Sequence, residues 1–425
     1  YSISGDGSLG PEARQTLLDM GFFMPGTKKR TSAEALEEPP LDDIPFSELR
    51  SGCEGPPMVG NFSGNVDEFV DGFGRCSPGR WKPSNRGRRL SDSARGFAEG
   101  LRGRVQKSVL ECVPDVARAT FRLATGKWDG PLFPKDKLDT LREDWFRMLP
   151  DPERAKEVTP GQPFFLRAIA QTLEILEDPD FGIVEQGKYC FCNGVEVGHL
   201  RPLGPVPQVY RLRRKDQKYD DSSWEPEMRN HGEGPEVERS LQEAFEKEER
   251  EGRMFPLSLG EAKKRYPGNQ LRIAAQAVIP KPDIDFRVVH DATHGVQVNN
   301  EIVMKDRLES PGSWEVAAIQ KLGSSSDEKV FFGIVGDVSK AHRRYLHHPE
   351  QWGVLACRTH SESQVLWINK TGTFGVASAA YWFSRLTGLV GRLSFRVLLE
   401  TFIFMLIYAD DLHLVSGGRN RWINI

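Results

Sequence analysis

Cysteine is scarce: six residues in 425, at positions 53, 76, 112, 190, 192 and 357. Such scatter excludes a disulfide-stapled secreted scaffold and fits reduced thiols in an intracellular protein, nuclear or cytoplasmic. Long apolar runs are also missing. None approaches the ~18–20 residues that a membrane span requires, so no membrane partner is expected. No signal peptide and no internal repeat are apparent. A net charge of −3 marks the whole chain as neither strongly basic nor strongly acidic.

What is present is unevenly distributed. Hydrophobic residues make up 38% of the chain, enough for a core in part of it, while 41 glycines and 28 prolines enrich it in loop formers. The length suggests two or three domains. The chain starts at Tyr1 and is expected to be a fragment.

Residues 1–107 read as a low-order segment. Glu34–Glu48 holds six acids and no base, and Arg80–Lys107 holds nine Lys/Arg among Gly and Ser. Aromatics are sparse there, which favours a solvated linker over a nucleic-acid-binding arm. Residues 108–234 read as a helical accessory region and linker. In "DKLDTLREDWFRMLP", Leu138, Leu141, Trp145 and Leu149 recur at spacings of three and four, and "PFFLRAIAQTLEILEDP" repeats the pattern. The "YCFCNGVEVGHL" stretch brings Cys190, Cys192 and His199 together, but its C-x-C spacing without a second pair does not suit zinc. A hairpin strand is expected instead. A helix follows from Pro235, with Val237, Leu241 and Phe245 four apart and Gly252 past its end. Ser258 stands three before Glu261, a capping-box spacing, and Pro267–Gly268 stops that second helix.

Carboxylates then appear where apolar strands end. The run Val330–Val335 leads through Gly336 to Asp337, and a further strand is expected over Trp352–Cys357. Nine uncharged residues, Thr401–Ala409, lead to Asp410 and Asp411, expected in a hairpin turn before "LHLVS". Adjacent carboxylates repel, and bound cations would supply the compensating charge. Three carboxylates from two neighbouring strands suit two-metal phosphoryl transfer, with oxygen ligands for Mg²⁺ and two ions ~3.5–4 Å apart. Two short strands flank "PKPDID", so Lys281 and Arg287 would project from a hairpin suited to a triphosphate. Phe374–Gly375 ends a loop that becomes a helix of small residues, Ala377–Ala380, and Gly375 would let backbone approach a ligand closely.

In this order the segments resemble the reverse transcriptases of retroelements, over residues 235–418. "VIPKPDIDFRVVHD" looks like the fingers hairpin, with its triphosphate-binding cations at Lys281 and Arg287. "GDVSKAHRRYLHHPE" looks like the palm's metal-binding segment, with Asp337 as its aspartate and Val338 beside it as a further ligand. "TFGVASAAYWFSRL" resembles the segment that contacts template and incoming nucleotide, through Phe374 and Gly375, with Ala380 in place of the family's proline. "YADD" is a form of the Y-x-D-D box, Tyr408–Asp411, with Tyr408 in support. The phrases "VHDATHGVQVNN" and "GTFGVASAAYW" are similar to a divergent protist group.

The resemblance implies an α+β right-hand polymerase, fingers and a partial palm over 235–425. It implies RNA-directed DNA synthesis from dNTP on a DNA primer and RNA template. Asp337, Asp410 and Asp411 would be catalytic and, with Val338, would hold two Mg²⁺, with Mn²⁺ as a substitute. The family's sugar-gating aromatic falls at His342, planar and bulky enough for a gate. The chain stops at Ile425, where the family continues into a primer-gripping hairpin and thumb, so this piece is expected to be incomplete. Two alternatives stand beside this one: an inactive retroelement remnant that binds nucleic acid, and an RNA-dependent RNA polymerase.

Overall fold

The computed structural model describes residues 90–416, except 116–117, 120, 123–124, 126, 132, 179, 205–223, 281–285, 305–331, 399–402 and 409. All of these fall in one contact unit, Arg50–Ile425. The architecture is mixed helix and antiparallel sheet.

Helix α1 is Asp92–Cys112. The Ser91 side chain accepts a hydrogen bond from the Ala94 N–H, and Ala94, Ala98 and Leu101 form its buried stripe. The basic stretch expected as a linker is therefore helical from Asp92 onward. Asp92, Glu99, Arg104 and Lys107 are exposed beside an i, i+4, i+7 apolar line. Helix α2, Lys135–Arg147, buries Phe146, and its Trp145 Nε1 donates to Thr172 Oγ1 at 2.9 Å. Thr172 lies on α3, Leu166–Ile175.

The segment from Leu173 to Phe191 packs against helix α6, Ala379–Leu398. Leu173, Val184 and Phe191 share one core cluster with Tyr345, Tyr381, Trp382, Phe383 and Leu386. Two buried ion pairs reinforce the contact. Arg385 meets Asp180 at 2.9 and 2.7 Å, and Arg392 meets Asp178 at 2.7 and 3.1 Å. The core thus runs across the boundary expected at residue 234.

The Cys190–His199 stretch is not the expected hairpin strand. It is a turn closed by single bridges, Cys190 to Gly194 and Val195 to His347. Gly194 explains the break: its φ is +95°, and a Cβ there would stand 2.5 Å from the His347 carbonyl oxygen.

Helix α4 is Pro235–Arg250, with Leu241 and Phe245 buried and Pro at its start. Gly252 follows it at φ +76°. Helix α5, Leu259–Arg265, carries both halves of the Ser258–Glu261 capping box. Three sheets complete the fold among the described residues. One orders β1 (Met254–Ser258), β6 (Val365–Asn369) and β5 (Ala356–Cys357); a second pairs β2 (Ala275–Ile279) with β3 (Arg287–Asp291). The third orders β4 (Phe332–Asp337), β8 (Asp411–Ser416) and β7 (Ile403–Tyr408).

The strand expected over Trp352–Cys357 is mostly a 3-10 turn, Pro349–Leu355, and only Ala356–Cys357 are extended. Gly353 in that turn is closely packed: a Cβ there would meet the Gln270 carbonyl oxygen at 2.3 Å and the Tyr266 ring at 2.5 Å. No described helix is long and apolar enough to cross a membrane.

Candidate active site

The third sheet carries the carboxylates. Strand β8 lies between β4 and β7, and Asp411, its first residue, pairs with Asp337 on one side and Tyr408 on the other. Directly opposed residues in an antiparallel pair project from the same face, with Cα atoms roughly 4.5–5.5 Å apart. Asp410 sits in the turn just before β8, and its carbonyl oxygen accepts from the Val338 N–H at 2.9 Å. That bond extends the ladder one step past Asp337. Asp337 and Tyr408 are exposed, while Val338, Asp410 and Asp411 are half-buried.

Among the described residues, no group of three His, Cys, Asp or Glu side chains is already gathered as a metal cage. The donor set is nonetheless hard and anionic, with Asp337 and Asp411 opposed on one sheet and Asp410 in the adjoining turn. It fits Mg²⁺ rather than a soft ion.

Beside the carboxylates stands a short stack of rings and charge. The His342 imidazole lies 4.8 Å from the Phe374 ring and 6.2 Å from that of Phe383. Arg287, the first residue of β3, holds its guanidinium 4.8 Å from the Phe374 ring centroid. Burial lowers the His342 pKa, opposed in part by the Asp410 carboxylate, so the imidazole is neutral at pH 7. Arg287, Phe374 and His342 thus form one series of contacts, with the Asp410 carboxylate near enough to act on His342 electrostatically. Lys281 lies outside the described residues.

The loop carrying Phe374 is held by backbone contacts. The His290 N–H donates to the Phe374 carbonyl at 3.1 Å. Asn299 Nδ2 donates to the Gly375 carbonyl at 2.6 Å, while Asn299 Oδ1 accepts from the Ala377 N–H at 2.8 Å. Gly375 has φ +99°, and a Cβ there would come within 1.8 Å of the His290 carbonyl oxygen. Only glycine fits. The reason is close packing against β3; no ligand need be invoked.

The segment between Asp337 and His342 is fixed from outside. Lys340 takes a left-handed conformation, φ 55°. Its Nζ donates to Glu248 at 3.1 Å and Glu251 at 3.3 Å. Arg343 donates to Glu248 Oε2 through Nε at 3.0 Å and Nη2 at 2.8 Å, and to Asn369 Oδ1 through Nη1 at 2.8 Å. Arg253 also bonds both Glu248 and Glu251. Burial opposes ionisation of Glu248, but Arg253 and Arg343 outweigh it and hold its carboxyl far below the usual range.

Sequence reasoning missed Glu248, Arg343 and Asn299. Arg343 and Asn299 lie inside the quoted segments "GDVSKAHRRYLHHPE" and "VHDATHGVQVNN" but were given no role there, and each of the three acts through a contact many residues away. The one available signal was the excess of Glu at the end of α4, facing a run of bases at Lys340–Arg344. No protein-family model matches the chain, and a search of curated proteins finds no match.

Proposed function

We propose that residues 235–418 are the fingers and the catalytic half of the palm of an RNA-directed DNA polymerase. The observation that carries the reading is the in-register pairing of Asp337 with Asp411, with Asp410 in the adjoining turn. It puts the three carboxylates expected to act together at one corner of one sheet. The Arg287–Phe374–His342 stack beside them supports a nucleotide site.

In this reading Asp337, Asp410 and Asp411, with the neighbouring Val338 carbonyl, would hold two Mg²⁺. Ions bound there would supply Lewis-acid charge for nucleotidyl transfer from a dNTP to a primer 3′-hydroxyl. Arg287 presents a planar, permanently charged group to the triphosphate, and Phe374 beneath it limits its swing. Neutral His342 gives a flat, uncharged wall beside the sugar. The clamp of His290 and Asn299 on the 374–377 loop keeps that wall in place.

The test is incorporation of labelled nucleotide into a DNA primer on an RNA template with Mg²⁺. Competition by unlabelled dNTP but not by NTP supports the proposal. Preferential NTP incorporation would move the assignment to an RNA-dependent RNA polymerase. Oligonucleotide binding with no incorporation, even by a version extended past Ile425, would leave a nucleic-acid-binding remnant.

A further inference from the structure

The stretch "HDATH", His290–His294, ends β3 and turns toward a segment about 60 positions upstream. Strand alternation sends His290 inward, where it is buried, and leaves Asp291 on the other face. There Asp291 Oδ2 meets His231 Nε2 at 2.7 Å. Its Oδ1 accepts from the Thr293 N–H at 3.0 Å and the His294 N–H at 2.9 Å. The His294 imidazole stands 6.0 Å from that of His231, centroid to centroid. Both histidines are exposed, yet both backbones are held. The His231 N–H donates to the Gln276 carbonyl at 2.9 Å, and the adjoining Asn230 side chain donates to the Arg358 and Thr359 carbonyls. The Glu225 N–H donates to the Gly295 carbonyl at 2.8 Å. Among the described residues the His294 imidazole makes no hydrogen bond or ion pair.

An ionised carboxylate only accepts, so His231 donates to Asp291 through Nε2. In the neutral ring Nδ1 then carries the free lone pair. Metal-ligating imidazoles are oriented in this way, one nitrogen donating to a carboxylate and the other facing the ion. Two imidazoles bound to one divalent ion at about 2.0–2.1 Å have ring centroids roughly 4.5–6.5 Å apart. The observed 6.0 Å falls in that range. Fastening the upstream segment to β3 would account for His231 and Asp291 alone. It gives no role to the second, uncommitted imidazole beside them. Two imidazoles completed by water are an open site rather than a cage of three side chains. Nitrogen ligands of this kind suit Ni²⁺, Cu²⁺ or Zn²⁺ and not Mg²⁺.

We propose that His231 and His294 bind a borderline divalent transition-metal ion, with water completing the coordination and Asp291 fixing the His231 tautomer. The ion would join two segments 63 positions apart. The site differs from the Asp337–Asp410–Asp411 corner in its ligands and in the class of ion it selects. It does not require nucleotidyl transfer by the chain.

The test is isothermal titration calorimetry of the full chain with Ni²⁺ in excess Mg²⁺, which competes for oxygen-only sites. The parent is expected to bind an ion whose affinity falls at least about tenfold in His294→Ala and roughly 10–100-fold in Asp291→Asn. The asparagine side chain keeps an oxygen for the Thr293 and His294 N–H groups but turns an amide N–H toward His231, which moves the ring proton to Nδ1. His360→Ala, which removes a histidine paired with Glu238 instead, should leave the affinity unchanged. Mn²⁺ should bind more weakly than Ni²⁺. Circular dichroism checks that each variant folds, and His294→Ala decides alone if Asp291→Asn does not. Undiminished Ni²⁺ affinity in His294→Ala or in a folded Asp291→Asn would overturn the proposal. So would an equal loss in His360→Ala, or no Ni²⁺ binding by the parent. Asp410→Ala/Asp411→Ala should bind Ni²⁺ as the parent does, which keeps this outcome apart from the fate of the polymerase reading; loss of binding there would place the ion at the carboxylates and overturn the site.

Discussion

Glu248 and Arg343, 95 positions apart in sequence, are joined by two hydrogen bonds of 3.0 and 2.8 Å. The bond reaches from the last turns of α4 to the segment between Asp337 and His342. It is mostly shielded: the Glu248 side chain is 17% exposed and that of Arg343 10%. Removing one partner of such a pair leaves an uncompensated buried charge. Glu248→Gln should therefore lower unfolding stability by about 3 kcal/mol. Lys340→Ala, which removes a more exposed cation, should cost no more than ~1 kcal/mol. Urea unfolding of the two variants checks the ordering.

Gly375 permits the close approach of two backbones. A methyl group there would collide with the His290 carbonyl in an already left-handed conformation. Gly375→Ala should cost about 1–3 kcal/mol from backbone strain alone, and more from the clash. It should also shift Phe374 away from Arg287 and weaken dNTP binding, read by nucleotide titration of the folded variant. Unchanged stability would mean that the loop is not held as described.

The Asp178–Arg392 pair fastens the N-terminal helical segment to α6. Its side chains are 0% and 3% exposed. Burial disfavours the Asp178 carboxylate, but the Arg392 and Arg396 guanidinium groups outweigh that cost and hold its pKa low. Asp178→Ala should destabilise the fold by roughly 3–5 kcal/mol. Limited proteolysis should then cut between α3 and α4 sooner than in the parent chain.

Stability should fall as pH drops from 6.5 toward 4. Burial lowers the pKa of both His290 and His347 to about 4. An unfolded histidine titrates near 6.5, so in this window the unfolded state binds more protons than the folded one. The contribution is fully present above pH 6.5 and is lost as pH falls through the folded value. Each group adds a slope of up to about 1.4 kcal/mol per pH unit. Urea midpoints at pH 7, 6 and 5 check this above the range where carboxyl groups contribute. A flat profile would contradict it.

Elements whose signals are local were legible in the sequence. The Ser258–Glu261 capping box, the α4 stripe and the apolar run into Tyr408–Asp411 each depend on neighbours within a few residues. Helix α1 was hidden because its many bases obscured the Ala94–Ala98–Leu101 line. The Pro349–Leu355 turn was hidden because Gly353 answers to Tyr266, 87 positions away. At the candidate site the motif residues Asp337, His342, Phe374, Asp410 and Asp411 could be named in advance. The groups that hold them, Glu248, Arg343 and Asn299, could not, since pairwise contacts across the fold leave no fixed spacing.

The central claim is that Asp337, Asp410 and Asp411 act as one metal-binding unit for nucleotidyl transfer. It is tested most directly by Mg²⁺-dependent primer extension on an RNA template, comparing the parent chain with Asp410→Ala/Asp411→Ala and with Asp337→Asn. Extension that requires divalent ion and falls at least about 10³-fold in both variants is the predicted result. Equal extension by parent and variants, or extension indifferent to chelation of the metal, would contradict it.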